Sequence, residues 1–398
     1  MAHIVLYFFK PYLYAMPKSL FRRLTKKFIV VINIITAVFF LVGCYNKYFY
    51  SARFWPVGFL SLSAFYLLLL LLIFAVFWLF AKPAWAGIFV LTLALTYKPL
   101  QHILPLRLPA DFLLTKQQGY TRIMSWNVAQ FDILYNKKRP DIRDEMITVI
   151  NEYKPDIACF QEMVAGDTLF NLNNAYYKKY SFFSVFEYAS KLSMPHYFFS
   201  YNFKEDFLNH QHFGLVIFST YPIINKQTIG SYPYDYNNNF QYADIVKGLD
   251  TFRVFNIHLQ SLKFTSVNLQ YIDNPSLESR QDLSRSKSVL SKFKSGFLKR
   301  QLQADKIKAT INESPYPVIV CGDFNDVPNS YAYQIIGEGL QNAFVEKGSG
   351  LGRTFSSIAP TLRIDNIFMQ PSFVINQYIR VSKKLSDHFP IIADMSIK

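Results

Sequence analysis

Residues 54–80, FWPVGFLSLSAFYLLLLLLIFAVFWLF, carry no charged side chain across 27 positions. As a helix this run would rise about 40 Å, more than the roughly 30 Å of a bilayer's hydrocarbon core. A helix apolar on every side belongs in a large core or a membrane, and the length argues for the membrane. A second uncharged run, FIVVINIITAVFFLVGCY (28–45), follows Arg22, Arg23, Lys26 and Lys27. A third, AWAGIFVLTLALTY (84–97), reaches spanning length only as about 83–104, by starting near Pro83 or tolerating Lys98. Trp55 and Trp78 stand where interfacial anchors stand.

The basic flank before the first span is expected to stay cytoplasmic. Three spans then put the remaining chain outside the cytoplasm, and two would return it inside. The very short turn at Lys82 suits a tight hairpin and favours three. LVGC (41–44) is similar to a bacterial lipobox, although a long basic leader precedes it. The expectation is a multi-pass protein of the inner or plasma membrane with a periplasmic C-terminal domain. Its membrane region is 1–115 and its globular domain 116–398.

Charge follows this division. The formal charge is +15 from 42 Lys/Arg and 27 Asp/Glu, and residues 1–115 hold 11 of those bases against one acid, Asp111. The globular part is only mildly basic, so the isoelectric point alone argues little for nucleic acid. Cys44, Cys159 and Cys321 form neither a disulfide framework nor a zinc spacing, and read as small buried apolar residues.

After a linker with Pro99, Pro105, Pro109 and Gly119, strand-like runs occupy 122–128, 156–162, 214–220, 251–261, 316–324, 363–369 and 391–397. Helical spacing marks 139–153, 297–312 and 330–337. The Tyr- and Phe-rich interval 165–213 reads as a packed surface loop. Polar residues recur where the strands stop: Asn127, Glu162, Asn256, His258, Asp323, Asn325, Asp365, Asn366, Asp387 and His388. Singly, each has an ordinary structural explanation as a turn residue, a solvated acid or a core imidazole. Together they match the way α/β folds gather an active site at strand ends. Acids, amides and imidazoles without a Gly-rich phosphate loop or a GxSxG elbow suit metal-assisted phosphoester hydrolysis. GSGLG (348–352) lacks the strand–helix frame of a nucleotide fingerprint.

The ordered blocks SWNV, CFQE, NIHLQS, CGDFND, RIDNIF and LSDHFPI resemble the endonuclease/exonuclease/phosphatase superfamily, the deoxyribonuclease-I-like fold, over 121–398. The resemblance implies a four-layer α/β/β/α sandwich of two packed, mostly antiparallel sheets, here preceded by transmembrane helices. It also implies Mg²⁺, with Mn²⁺ as a substitute, held by Glu162 with Asn127 and Asp387. By the same resemblance His258 bonds the scissile phosphate, Asp323 orients or activates water and Asn325 steadies developing charge. His388, oriented by Asp365, is general base or phosphate donor; Asn127, His258 and Asn325 contact substrate. Asp326 reads as a loop cap.

Ala129 stands where some DNA-repair members carry an acid, which weakens any link to abasic-site repair. The basic stretch 262–300, with Arg285, Lys287, Lys292, Lys294, Lys299 and Arg300, reads as a solvated helix face or as a contact for phosphates or an anionic membrane. The layout resembles membrane-anchored bacterial members. The implied activity is a membrane-anchored Mg²⁺-dependent phosphodiester hydrolase, most simply a nuclease. A phospholipid or sugar-phosphate hydrolase, or a non-catalytic membrane scaffold, are the alternatives.

Overall fold

In the computed structural model, which describes residues 18–108, 110–132, 141–166, 183–201, 211–232, 235–276 and 278–398, the uncharged run 54–80 is not one helix. Helix α1 (Lys18–Cys44) is followed by α2 (Ser51–Phe54), α3 (Val57–Leu62) and α4 (Ala64–Ala81). Pro56 cannot donate a helical hydrogen bond, so the chain breaks there. A Cβ at Gly58 would stand 2.6 Å from the Phe297 ring, so this turn is pressed onto the globular part. The third run is divided as well, into a 3₁₀ turn (Pro83–Ala86), α5 (Gly87–Leu95) and α6 (Tyr97–Ile103). Leu20–Cys44 and Ala64–Ala81 are long and apolar enough to cross a membrane, whereas Pro83–Leu95 is shorter. Trp78 is not an outward anchor: it is buried, 6.2 Å from the Trp85 ring.

Phe40 and Cys44 of α1, Ala64, Leu68 and Leu71 of α4, and Ile103 of α6 share one apolar cluster. The opposite faces are bare. Val31, Ile34 and Val38 of α1, Leu69, Ile73 and Val76 of α4, and Val90 and Leu91 of α5 are exposed.

Beyond residue 120 the apolar runs alternate between two faces, and both faces are covered. The strands are β1 (Thr121–Asn127), β2 (Ile157–Gly166), β3 (His196–Tyr201), β4 (Gln211–Ser219), β5 (Ile223–Tyr232), β6 (Asp235–Lys247), β7 (Asp250–His258), β8 (Val318–Asp323), β9 (Gln341–Asn342), β10 (Asp365–Met369), β11 (Phe373–Arg380) and β12 (Ile391–Ile397). They form two sheets, ordered β11-β12-β1-β2-β4-β3 and β5-β6-β7-β8-β10-β9. One pair in each is parallel, β1 with β2 and β7 with β8; the other neighbours are antiparallel.

Ile123, Cys159 and Ile217 of the first sheet meet Val254, Ile319 and Cys321 of the second. Their neighbours Met124, Trp126 and Phe160 turn the other way, onto α7 (Ile142–Tyr153) and α8 (Val185–Lys191). After α9 (Ser266–Asp273), the long α10 (Arg280–Asn312) and α11 (Tyr331–Ile336) cover the far face of the second sheet through Ile307, Ile311, Tyr333 and Ile336. A last short helix, α12 (Ala343–Lys347), follows β9. The result is an α/β/β/α sandwich. Strands buried on both faces explain why their sequences are continuously apolar. All three cysteines are buried and free.

The helical region docks on this sandwich through the segment between α1 and α4. Phe59 lies 5.0 Å from Phe293 and 5.5 Å from Phe297, both on α10. Ser51 N donates to Gln301 (2.6 Å), Gln334 donates to the Cys44 carbonyl (2.7 Å), and Asn329 donates to the Pro99 carbonyl (2.9 Å). The buried Arg363 guanidinium donates to the His102 carbonyl. Helix α10 begins at Arg280, well before residue 297, under a Ser279–Asp282 capping box. The interval 165–213 is not simply a loop: its described part carries α8 and β3, while 167–182 and 202–210 lie outside the described residues.

Candidate active site

Three neighbouring strands of the second sheet put one polar residue each in a single row. Register pairs His258 with Asp323 across β7 and β8, and Asp323 with Asp365 across β8 and β10. Close approach of β7 and β8 depends on Gly322. Its φ is +147°, and a Cβ there would lie 2.0 Å from the Ile257 carbonyl oxygen. A side chain at this position is sterically excluded. His258 Nε2 then lies 3.5 Å from Asp323 Oδ2 and 3.7 Å from Glu162 Oε1.

The first sheet faces this row with Asn127 and Glu162. Asn127 ends β1 and donates from Nδ2 to Asp323 Oδ2 (3.2 Å). Glu162 sits in a bulge, where pairing of β2 with β4 jumps from Phe160 to Met163. Its φ is +52°. The bulge turns this carboxylate out of the strand's alternation and toward the site. Asn325, also left-handed at φ +48°, closes the turn after β8. Its N–H donates to Asp323 Oδ1 (2.7 Å), and its amide donates to the Leu259 carbonyl (3.0 Å). Two strained non-glycine residues facing one cavity mark a site where geometry is held by surrounding structure.

The loop before β12 supplies the rest. His388 Nδ1 lies 2.9 Å from Asp365 Oδ2, and Nε2 lies 3.7 Å from Asp323 Oδ2. Trp126 Nε1 donates to the His388 carbonyl (2.9 Å), and Ser386 Oγ donates to the Asn127 carbonyl (2.9 Å). Thr354 Oγ1 accepts from Asp365 N (3.1 Å). Thus the backbone that carries His388, Asn127 and Asp365 is fixed from behind. Asp387, next to His388, is exposed.

Burial acts against the His388 imidazolium, but Asp365 and Asp323 outweigh it and push its pKa up to about 10. Burial, opposed by His388 and reinforced by Asp365, raises the Asp323 carboxyl to about 6. Glu162 is also raised, first by burial and then by Asp387, against the pull of His388 and a hydrogen bond from Asn127. Two groups of ligating atoms follow. Asp323, Asp365 and His388 lie within 4.8 Å of one another, yet their atoms are already joined by hydrogen bonds and by the His388 charge. Asp387 stands close enough to raise the proton affinity of the Glu162 carboxylate, with the Asn127 amide alongside. That all-oxygen set suits a hard divalent cation.

The eight expected site residues, Asn127, Glu162, His258, Asp323, Asn325, Asp365, Asp387 and His388, therefore gather at one end of the sandwich. Glu162, Asp323, Asn325, Asp387 and His388 line a cavity of ≈ 280 Å³. Other polar residues at strand ends do not join them. Asn256 bridges the sheets, donating to the Phe160 and Val216 carbonyls, both at 2.9 Å. Asn366 bonds Asn342. Asp326 is more than a loop cap: it is buried and ion-paired with Arg300 at 2.9 Å. Arg300 is accordingly no part of a solvated face. Trp126, Ser386 and Thr354 escaped the sequence reading, because each looks like ordinary core or turn chemistry.

The sequence model of the Endonuclease/Exonuclease/phosphatase family matches residues 124–388. The chain belongs to that family. A second match, to a Domain of unknown function (DUF8431), covers residues 26–103. No curated protein matches the chain. Similar solved structures include an endonuclease/exonuclease/phosphatase from Beutenbergia cavernae, 17% identical, with a TM-score of 0.47, covering 70% of this chain and 72% of that one. A family protein from Bacteroides thetaiotaomicron is 16% identical with a TM-score of 0.46, covering 71% of this chain and all of that one. The human Nocturnin catalytic domain with bound sulfate anion is 16% identical with a TM-score of 0.45, covering 71% of this chain and 97% of that one. Nothing about substrate follows from likenesses at this level. Family members are hydrolytic phosphoesterases, and two apolar helices precede the family domain here.

Proposed function

We propose that the protein is a membrane-anchored, divalent-metal-dependent phosphodiester hydrolase. The observation that carries this reading is the meeting of Glu162, Asp387 and Asn127 with the His258–Asp323–Asp365–His388 row, and the opening of Glu162, Asp323, Asp387 and His388 onto one cavity. When bound, Mg²⁺ would neutralise phosphoryl charge beside Glu162. His258 and Asn325 donate hydrogen bonds to the non-bridging oxygens. Asp323, held by the Asn325 N–H, takes the proton of the attacking water. With Nδ1 held by Asp365, His388 presents Nε2 to the phosphoryl group as a donor.

Support for the membrane anchor is the bare apolar surface of α1 and α4. The connection between α1 and α4, and the end of α6, both touch the sandwich, while Trp78 and Trp85 meet at the α4–α5 turn. The chain therefore runs toward the sandwich, away and back. On that course the domain lies across the bilayer from the basic start of α1, which is the non-cytoplasmic side. A reporter enzyme active only outside the cytoplasm, fused after Lys398, should be active; an inactive fusion that is active in its cytoplasmic counterpart refutes this orientation. For the chemistry, full-length protein in detergent is expected to hydrolyse bis(p-nitrophenyl) phosphate with Mg²⁺, to stop with EDTA and to resume on Mg²⁺ addition. Equal rates with EDTA would overturn the metal dependence.

A further inference from the structure

We infer that the substrate is a phospholipid of the membrane in which the chain sits. This rests on the phosphodiester-hydrolase reading and adds what carries the ester. The cavity that holds Glu162, Asp323 and His388 is also walled by Leu62, Leu262, Phe264, Leu269, Ile358 and Leu362. Leu62 ends α3 and stands two residues before α4, the most uniformly apolar helix of the chain. The wall of the active-site cavity is thus continuous with the start of a membrane helix. Leu269 and Ile358 are 37% and 50% exposed. An enzyme for a purely ionic substrate has no use for aliphatic side chains left open beside its carboxylates, whereas an acyl or glyceryl portion would cover them.

The charge around the cavity separates a lipid from a polynucleotide. A nucleic acid brings regularly spaced phosphates, which a binding groove meets with cations and stacking aromatic rings. Among the lining residues the cations are Lys263, Arg300 and the His388 imidazolium; Arg300 is buried and engaged by Asp326 and the Gln260 carbonyl, and His388 is held by Asp365. The aromatic rings of the lining are engaged as well: Phe264 lies 5.5 Å from Phe293, and Phe355 lies 5.0 Å from His388. Further basic residues lie on α10, which packs against the anchor through Phe293 and Phe297. Arg285, Lys287, Lys292 and Lys294 accompany the exposed Leu283 and Leu290 on the first half of α10, and Lys294 lies 5.8 Å from the Trp55 ring. Cations mixed with aliphatic side chains beside a membrane helix suit an anionic lipid surface.

In the reaction, the water oxygen bonds to phosphorus as one P–O ester bond breaks, and the departing alcohol carries away the proton that Asp323 took from the water. Full-length protein with Mg²⁺ is to be offered vesicles of phosphatidylglycerol and phosphatidylethanolamine, bis(p-nitrophenyl) phosphate and plasmid DNA. The expected result is hydrolysis of the vesicle lipid and the small diester, with plasmid left intact. Leu269→Asp and Ile358→Asp should each lower the ratio of vesicle to small-diester turnover about tenfold, the effect of losing apolar contact with part of a substrate. No turnover of the small diester defeats the phosphodiester reading itself. Turnover of the small diester with untouched vesicles, preferential cleavage of plasmid, or an unchanged ratio in both variants overturns the lipid assignment while that reading stands.

Discussion

Ile73 on α4 is 63% exposed, whereas Ile319 on β8, in a run just as apolar, is fully buried. The contrast extends to polar groups. In the helical region Asn33, Thr36, Ser61 and Thr92 are buried while aliphatic side chains face outward. Thr36 and Thr92 return their hydroxyls to carbonyls one turn back, and Ser61 accepts from Asn46 while donating to the Gly43 carbonyl. In the sandwich, each aliphatic strand finds a second layer made of protein. The two regions use the same residues with opposite polarity, which is the difference that the proposed membrane anchor calls for.

The largest effect expected on either side of this contrast is chemical. His388→Ala should lower phosphodiester turnover by about 10²- to 10⁴-fold, the range for removing a positioned proton donor or acceptor. Its thermal melt should fall as well, because Asp365 and Asp323 stay buried without their imidazolium partner, and full activity in the folded variant would remove the sandwich from the catalytic account. Next comes a matched pair of surface changes. Ile73→Asp should impair membrane insertion by about 2.5–3.5 kcal/mol, the insertion cost of an acid near a bilayer's centre. Leu249→Asp, at an equally apolar but solvent-facing position (104% exposed), should shift stability by no more than about 0.5 kcal/mol. Membrane fractionation and melting curves read both, and equal effects would erase the distinction between the regions.

Smaller still is Gly322→Ala. The methyl must displace the Ile257 carbonyl, at a cost of about 1–3 kcal/mol, and should lower the melting temperature and turnover together. Smallest is Lys47→Ala at the seam between the regions. The Lys47–Glu338 pair (2.9 Å) is partly exposed, and its loss should cost at most about 1 kcal/mol by denaturant titration. A larger loss would make the seam electrostatic rather than apolar.

Strand ends were legible because β1, β2, β7, β8, β10 and β12 are buried on both faces. Their apolar runs stop abruptly at polar residues. The strands that escaped, β3, β5, β6, β9 and β11, are edge or near-edge elements, and β5, β6 and β11 are rich in Asn, Gln and Tyr, such as Asn225, Gln227, Gln241 and Gln377, whose pattern resembles a loop. Site membership was harder to read than site position. Asn256 and His258 are two residues apart on one strand; one bonds backbone between the sheets and the other meets Glu162 and Asp323 of the site. Alternation puts both on one side of the strand, so only depth along it separates them. The breaks at Pro56 and Ser63 were hidden by uniform hydropathy, since packing of Gly58 on Phe297 involves residues more than two hundred positions apart.

The segment between α1 and α4 has almost no slack. Ser51, Phe59 and the Cys44 carbonyl are each pinned to α10 or to Gln334. Embedded in a lipid sheet, such a mount would hold the cleft at one height and one tilt. Encounter would then become a search in two dimensions, with turnover governed by lateral diffusion and surface density instead of by bulk concentration.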